Sequence, residues 1–391
     1  MVSSSSGGPH EPQRILVAGG GIAALEAILA LRARVDRDRA VITVLAPNDG
    51  VRYPPLSVLQ PFDGHEPWTM PLASFAADAD VELRHGHLAR VDVGARTAVT
   101  SEGDEVAYDA LLVAVGARPD HVVDGADPFR GVHDADRLAQ ALDDVVAEEE
   151  APSPVVAFVA PAGASWSLPL YELALLTATR LRRDDPGART VVVTSESRPL
   201  EAFGASAART VREALERHGI ALHVGRRAVR FADGAVECAD GDPIRADRCV
   251  ALPDLRPRPI EGLAPGADGF LRIDEHARVI GYPGVFAAGD ATAGPVKQGG
   301  LACQQADAAA DGILAELGHP IDPAPYRPVL RGVLVGDDAP VALRATLDDE
   351  PGALRPAEAP VRMAAWTPGK IIGHHLGPYL AARDDGPAPP A

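Results

Sequence analysis

Residues 14–24 read Arg-Ile-Leu-Val-Ala-Gly-Gly-Gly-Ile-Ala-Ala. The apolar run Ile15–Ala18 predicts a buried strand, the glycine triplet a turn, and the Ala/Leu-rich stretch 22–35 a helix. Val41-Ile-Thr-Val-Leu45 follows as a second strand, so the first 45 residues form a βαβ unit of the usual length. Within the pattern Gly19-x-Gly21-x-x-Ala24 each small residue has a mechanical task. Gly19 permits the tight turn, Gly21 lets a pyrophosphate approach the backbone, and Ala24 lets helix lie close on strand. The helix N-terminus adds unpaired N–H groups and partial positive charge.

Further along, Val81–Arg84, Leu88–Asp92 and Thr97–Thr100 read as short strands, and Ala110–Val115 as a buried strand closed by Gly116-Ala-Arg-Pro119. A second strand–loop–helix–strand unit then begins. It comprises strand Val155–Val159, a Pro/Gly loop to Pro169, helix Leu170–Arg182 and strand Thr190–Thr194, then helix Ala207–His218 and strand Ala221–Val224. Two doubly wound units predict an α/β protein with two Rossmann-like, three-layer dinucleotide-binding domains. Gly284-Val-Phe-Ala-Ala-Gly-Asp290 reads as one more buried strand, ending in a carboxylate suited to a polyol. A pyrophosphate at Gly19–Ala24 and a polyol at Asp290 together describe FAD. The second domain is therefore inserted in the first. The expected division is an FAD domain at 12–119 and 256–322, an NAD(P)-like domain at 120–255, and a C-terminal region at 323–391. One position departs from the pattern: the second strand ends in Leu45-Ala46-Pro47, where a ribose-binding carboxylate is usual, leaving Asn48 or Asp49 to substitute.

The net charge of −18 makes nucleic acid and anionic lipid poor partners. No apolar run is long enough to span a membrane, so no integral membrane segment is expected. Residues 1–9 and 384–391 read as disordered tails, and the expected location is cytoplasmic. Of the 37 basic residues only Lys297 and Lys370 are lysines, which raises the interest of each.

The sequence resembles the two-dinucleotide-fold flavoproteins of the pyridine nucleotide–disulfide oxidoreductase superfamily, closest to the branch of type II NADH dehydrogenases and sulfide:quinone oxidoreductases. The match is carried by Gly19–Ala24, by Tyr108-Asp-Ala-Leu-Leu-Val-Ala-Val-Gly-Ala-Arg-Pro119 and by Val285-Phe-Ala-Ala-Gly-Asp-Ala291. The resemblance implies that Asp290 holds the ribityl chain, that Gly289 admits the pyrophosphate and that Gly116 borders the cofactor. It also implies that Lys297-Gln298-Gly299-Gly300, ahead of helix Leu301–Leu314, faces the pyrimidine end of the flavin. Positive potential is wanted there, making Lys297 and Gln298 the catalytic candidates. The implied chemistry is hydride transfer from NAD(P)H to flavin and onward delivery to a quinone-like or small acceptor. His374-His375, Trp366 and Tyr379 would cover the flavin or form a dimer or membrane face. The Tyr53-Pro54-Pro55 loop would wall the acceptor pocket.

The second nucleotide loop, Ala160-Pro-Ala-Gly-Ala-Ser-Trp-Ser-Leu-Pro169, lacks the glycine fingerprint. Proline removes donors and Trp166 fills space. Glu196, just beyond the next strand, is placed to grip an adenosine ribose and favour NADH. Two readings stay open: electrons enter from NAD(P)H, or from a small reduced substrate with the second fold structural. A flavin-free scaffold remains a third. No Cys-x4-Cys pair exists, and Cys238, Cys249 and Cys303 read as structural thiols, with Cys303 one turn into the helix after Lys297. His85-x-His87 lacks a third ligand, and no metal site is expected.

Overall fold

The computed structural model describes residues 11–52, 56–63, 69–120, 123–147, 153–336, 339–347, 354–356, 361–362, 370 and 373–383. The Tyr53–Pro55 loop, Trp366 and both predicted tails lie outside them. Strand β1 (Gln13–Ala18) runs through the glycine turn into α1 (Ile22–Arg32), then β2 (Ala40–Ala46), β3 (Glu82–His85) and β4 (Ala110–Val113). Alternate β1 residues face opposite ways, as strand geometry requires. Ile15 and Val17 join the core beneath the helices, whereas Leu16 and Ala18 join a second core with Val91, Ala98 and Val106. Those last residues belong to an antiparallel meander at 88–107. The sheet is thus covered by helices on one face and a meander on the other, not by helices on both.

The second fold repeats this plan. Its elements are β5 (Asp127–Pro128), α2 (Ala135–Ala147), β6 (Val155–Ala160), α3 (Leu168–Asp184), β7 (Arg189–Thr194), α4 (Gly204–Arg217), β8 (Ala221–His223) and β9 (Arg248–Ala251). They form a five-stranded parallel sheet in the order β5-β9-β6-β7-β8. The chain leaves the first fold at Arg118–Asp120 and re-enters at Asp254–Arg256, and these two segments pair antiparallel. It then supplies β10 (Val285–Ala287), completing the first sheet as β10-β4-β1-β2-β3, and α5 (Gly299–Glu316), which lies on α1 through small side chains such as Ala24, Ala306 and Ala309.

After α5 the chain divides its loyalties. Strands β11 (Val329–Leu334) and β12 (Val341–Leu347) bury Leu330, Val333 and Leu343 in the helix-side core of the second fold. The last helix, α6 (Leu376–Ala381), buries Leu376 and Leu380 in the core of the first.

Candidate active site

Between the two folds lies a cavity of about 510 Å³. The first fold contributes Gly21, Gly116, Gly289 and Asp290, the second contributes Trp166 and Glu172, and the start of α5 brings Lys297, Gln298 and Gly299. Lys370 reaches it from the C-terminal region.

The glycine turn is built as its sequence demands. Gly19 adopts φ +132°, and a Cβ there would stand 2.1 Å from the Ala114 carbonyl oxygen, so a side chain is excluded twice over. Gly21 is the N-cap of α1 in an extended conformation; a Cβ on it would meet nothing within 4 Å. No side chain caps α1 and no acidic residue occupies its first turn. Open space therefore lies over unpartnered N–H groups, the arrangement that takes an anion. Gly289, at φ +75°, faces Ala23 and Ala302 closely, and its N–H is bound by Gln305 Oε1 at 2.8 Å.

Asp290 sits in the short turn after β10, half-buried, and makes no hydrogen bond with any described residue. Burial pushes its carboxyl above the ordinary range, opposed by the Lys297 charge. Its carboxylate opens into the cavity, where the hydroxyls of a ligand can donate to it. The glycine turn and this open carboxylate thus fit a dinucleotide carrying a polyol. Lys297 is itself 8% exposed. Burial draws its ammonium down, against the pull of Asp290 and Asp268. Its Nζ donates to the Thr292 carbonyl and lies 3.6 Å from the Phe270 ring centre. The positive charge is therefore held by its own turn. Gln298 caps α5, accepting from Leu301 N at 3.0 Å while donating to Arg331 O at 3.1 Å.

A pair absent from the sequence-based candidates completes the wall. Lys370 Nζ lies 2.5 Å from Glu172 Oε1, which also accepts from Val335 N at 3.0 Å. Glu172 Oε2 has no hydrogen-bond partner among the described residues. Burial raises the Glu172 carboxyl and lowers the Lys370 ammonium, each restrained by the other. Both residues of the pair line the cavity. Lys370 carried a signal in the sequence, as one of two lysines; Glu172 stood out only as a lone charge in the apolar run Leu168–Leu176.

A profile for pyridine nucleotide-disulphide oxidoreductases matches residues 13–311. The chain belongs to this family. It is accordingly an FAD-dependent oxidoreductase of the pyridine nucleotide class. It is 27% identical over 295 residues to an NADH dehydrogenase-like protein of Mycobacterium tuberculosis, covering 72% of this chain and 73% of that one. It is 28% identical over 299 residues to the ferredoxin–NAD(+) reductase component of the biphenyl dioxygenase system of Paraburkholderia xenovorans, 73% and 69% of the two chains. The sulfide:quinone oxidoreductase of Aquifex aeolicus has the same fold, with a TM-score of 0.75 at 18% identity over 88% of this chain and 86% of that one.

Against the family pattern, Glu196 is instructive. Its carboxylate accepts from Ser167 Oγ (2.9 Å), Tyr171 Oη (2.5 Å) and the Glu201 N–H (3.0 Å). Burial raises it, and these hydrogen bonds oppose the rise. Glu196 lies outside the cavity lining and ties the 160–169 loop to the end of β7, so its acceptors are spent within its own fold. Asn48 is exposed just past β2 and outside the lining, while the neighbouring Asp49 carboxylate faces His85 at 3.7 Å. Cys238, Cys249 and Cys303 are free, and neither buried thiol, Cys249 or Cys303, lines the cavity. Burial, with Glu26 and Asp307 adding to it, pushes the Cys303 thiol far up. No described helix is long and apolar enough to cross a membrane.

Proposed function

We propose that this chain carries electrons from NAD(P)H, through FAD held in the inter-fold cavity, to a quinone-like or other small acceptor. The observation that carries this is the convergence on one cavity of the open backbone at Gly21, the Asp290 carboxylate and the buried Glu172–Lys370 pair. Gly19, Gly21 and the α1 N-terminus would hold the pyrophosphate, and Asp290 the ribityl hydroxyls. When bound, the flavin supplies a carrier that takes two electrons as a hydride and passes them on. The chain's residues position it, exclude water and manage protons. Lys297 and the α5 N-terminus set a positive potential at one end of the cavity. Glu172 and Lys370, sealed from solvent, exchange a proton with whatever reacts between the folds. A small acceptor suits the net charge of −18, which repels an acidic electron-carrier protein.

A second reading is favoured by one observation: Trp166 and Pro169 of the second loop line the cavity where the other fold offers glycine. Under it, a small reduced substrate such as sulfide replaces NAD(P)H. Anaerobic absorbance of the flavin-loaded protein separates the two. Rapid bleaching by NADH or NADPH, with none by sulfide, is expected. Bleaching by sulfide alone overturns the proposal, and a protein that takes up no FAD overturns both readings.

A further inference from the structure

We infer that Asp307, His374 and His375 form a binding site for one late first-row transition-metal dication, of which Zn²⁺ is the type. Asp307 projects from α5, and the two histidines stand immediately before α6. One donor atom from each lies within 4.8 Å of the other two, and this is the only such trio among the described residues. Asp307 Oδ1 and His375 Nε2 are 3.9 Å apart, and both are closed off from solvent with no hydrogen-bond partner among the described residues. Two facing polar atoms, each unsatisfied, describe a gap with the chemistry of a ligand set. The His374 ring is 4.6 Å from that of His375 and exposed.

The surroundings support a cation. Glu26 of α1 accepts the His375 and Leu376 N–H groups at 2.8 and 2.6 Å, which fixes the backbone presenting both imidazoles. Asp311, one turn beyond Asp307, adds a second carboxylate, itself paired with Arg34 at 3.2 Å. Two imidazoles with a single carboxylate suit zinc or cobalt and do not suit magnesium or calcium, which want oxygen donors. Three protein ligands and an exposed edge leave a fourth position for water. Donor separations near 3.5 Å are about what tetrahedral bonds of about 2.1 Å require, so closure needs movement of roughly an ångström. None of the three residues lines the inter-fold cavity. A bound ion would clasp the segment that carries Lys370 to the helix that begins beside Lys297.

The test uses untagged, flavin-loaded full-length protein titrated with Co²⁺, read by ligand-field absorbance to the red of the flavin, with Zn²⁺ competition against a chromogenic chelator. One metal per chain is expected. His374→Ala, which alters an exposed side chain and spares the fold, and Asp307→Asn should each weaken binding about 10-fold or more. His85→Ala, at the other histidine pair, should bind as the parent does. Absence of Co²⁺ and Zn²⁺ binding in the parent, or an unchanged titration in His374→Ala, overturns the site.

Discussion

The two nucleotide folds share one plan, a parallel strand, a loop and a helix, yet their loops do opposite things. In the first, Gly21 leaves open space above the start of α1, while Gly19 and Gly20 pack against Ala114, Ala46 and Leu72. In the second, Pro161 and Trp166 occupy the loop and Pro169 the first turn of α3, Trp166 meets Phe203 edge-on at 5.8 Å, and Glu196 bolts the loop from behind. Capacity for a dinucleotide thus resides in the loop backbone and its vacancy; the strands and helices around it only aim it.

The largest expected effect follows from placing a methyl group in each loop. Gly19→Ala drives Cβ into the Ala114 carbonyl at an unfavourable φ and should cost about 3 kcal/mol in denaturant unfolding. Gly163→Ala has a positive φ of +99° but its nearest neighbours, the Asp254 carboxylate oxygens, are 3.8 Å away, so about 1 kcal/mol is expected. Equal losses would erase the contrast.

Asp290 sharpens it next. Its folded pKa lies above the unfolded value, so the proton it binds stabilises the flavin-free protein at low pH, and that contribution is lost as pH rises through the folded value. At neutral pH Asp290→Asn should therefore melt higher than the parent without flavin, the difference vanishing in acid, while FAD affinity falls about 10-fold or more. A variant both less stable and equally tight for FAD would remove the ligand role.

Glu196→Gln keeps size but weakens three accepted hydrogen bonds and should cost about 1–2 kcal/mol with little change in FAD affinity. A selective rise in KM for NADH, with stability unchanged, would restore its ribose role. The smallest effect is expected from the thiols. Cys249 is pushed up to about 12 by burial, and burial also pushes the Cys303 thiol well above its ordinary value, with Glu26 and Asp307 adding to it. Neither should be modified by a thiol reagent in the native protein at pH 8, whereas half-buried Cys238 should.

The first fold was legible because its signals are local. Strand β1, the glycine turn and α1 are contiguous, and the unbroken apolar run Ile15–Ala18 follows from burial on both faces. Helix α1 ends at Arg32, short of the expected residue 35, because turns after it carry the chain toward β2. What lay hidden is long-range. Glu172 and Lys370 are 198 residues apart, and no spacing rule joins a charge inside an apolar helix to one near the C-terminus. The meanders that replace one helix layer were visible as short strands, but their place on the sheet was not. Glu196 was found at the right strand end, but the donors that saturate it, Ser167 and Tyr171, belong to a loop and helix whose approach only folding reveals.

The central claim is that the space above Gly21 holds the flavin pyrophosphate, and Gly21→Val tests it most directly. Gly21 has an ordinary φ of −97° and room for a side chain, so the variant should unfold within about 0.5 kcal/mol of the parent. FAD titration should then show affinity about 100-fold weaker or worse. A stable variant that binds FAD as tightly as the parent would contradict the account.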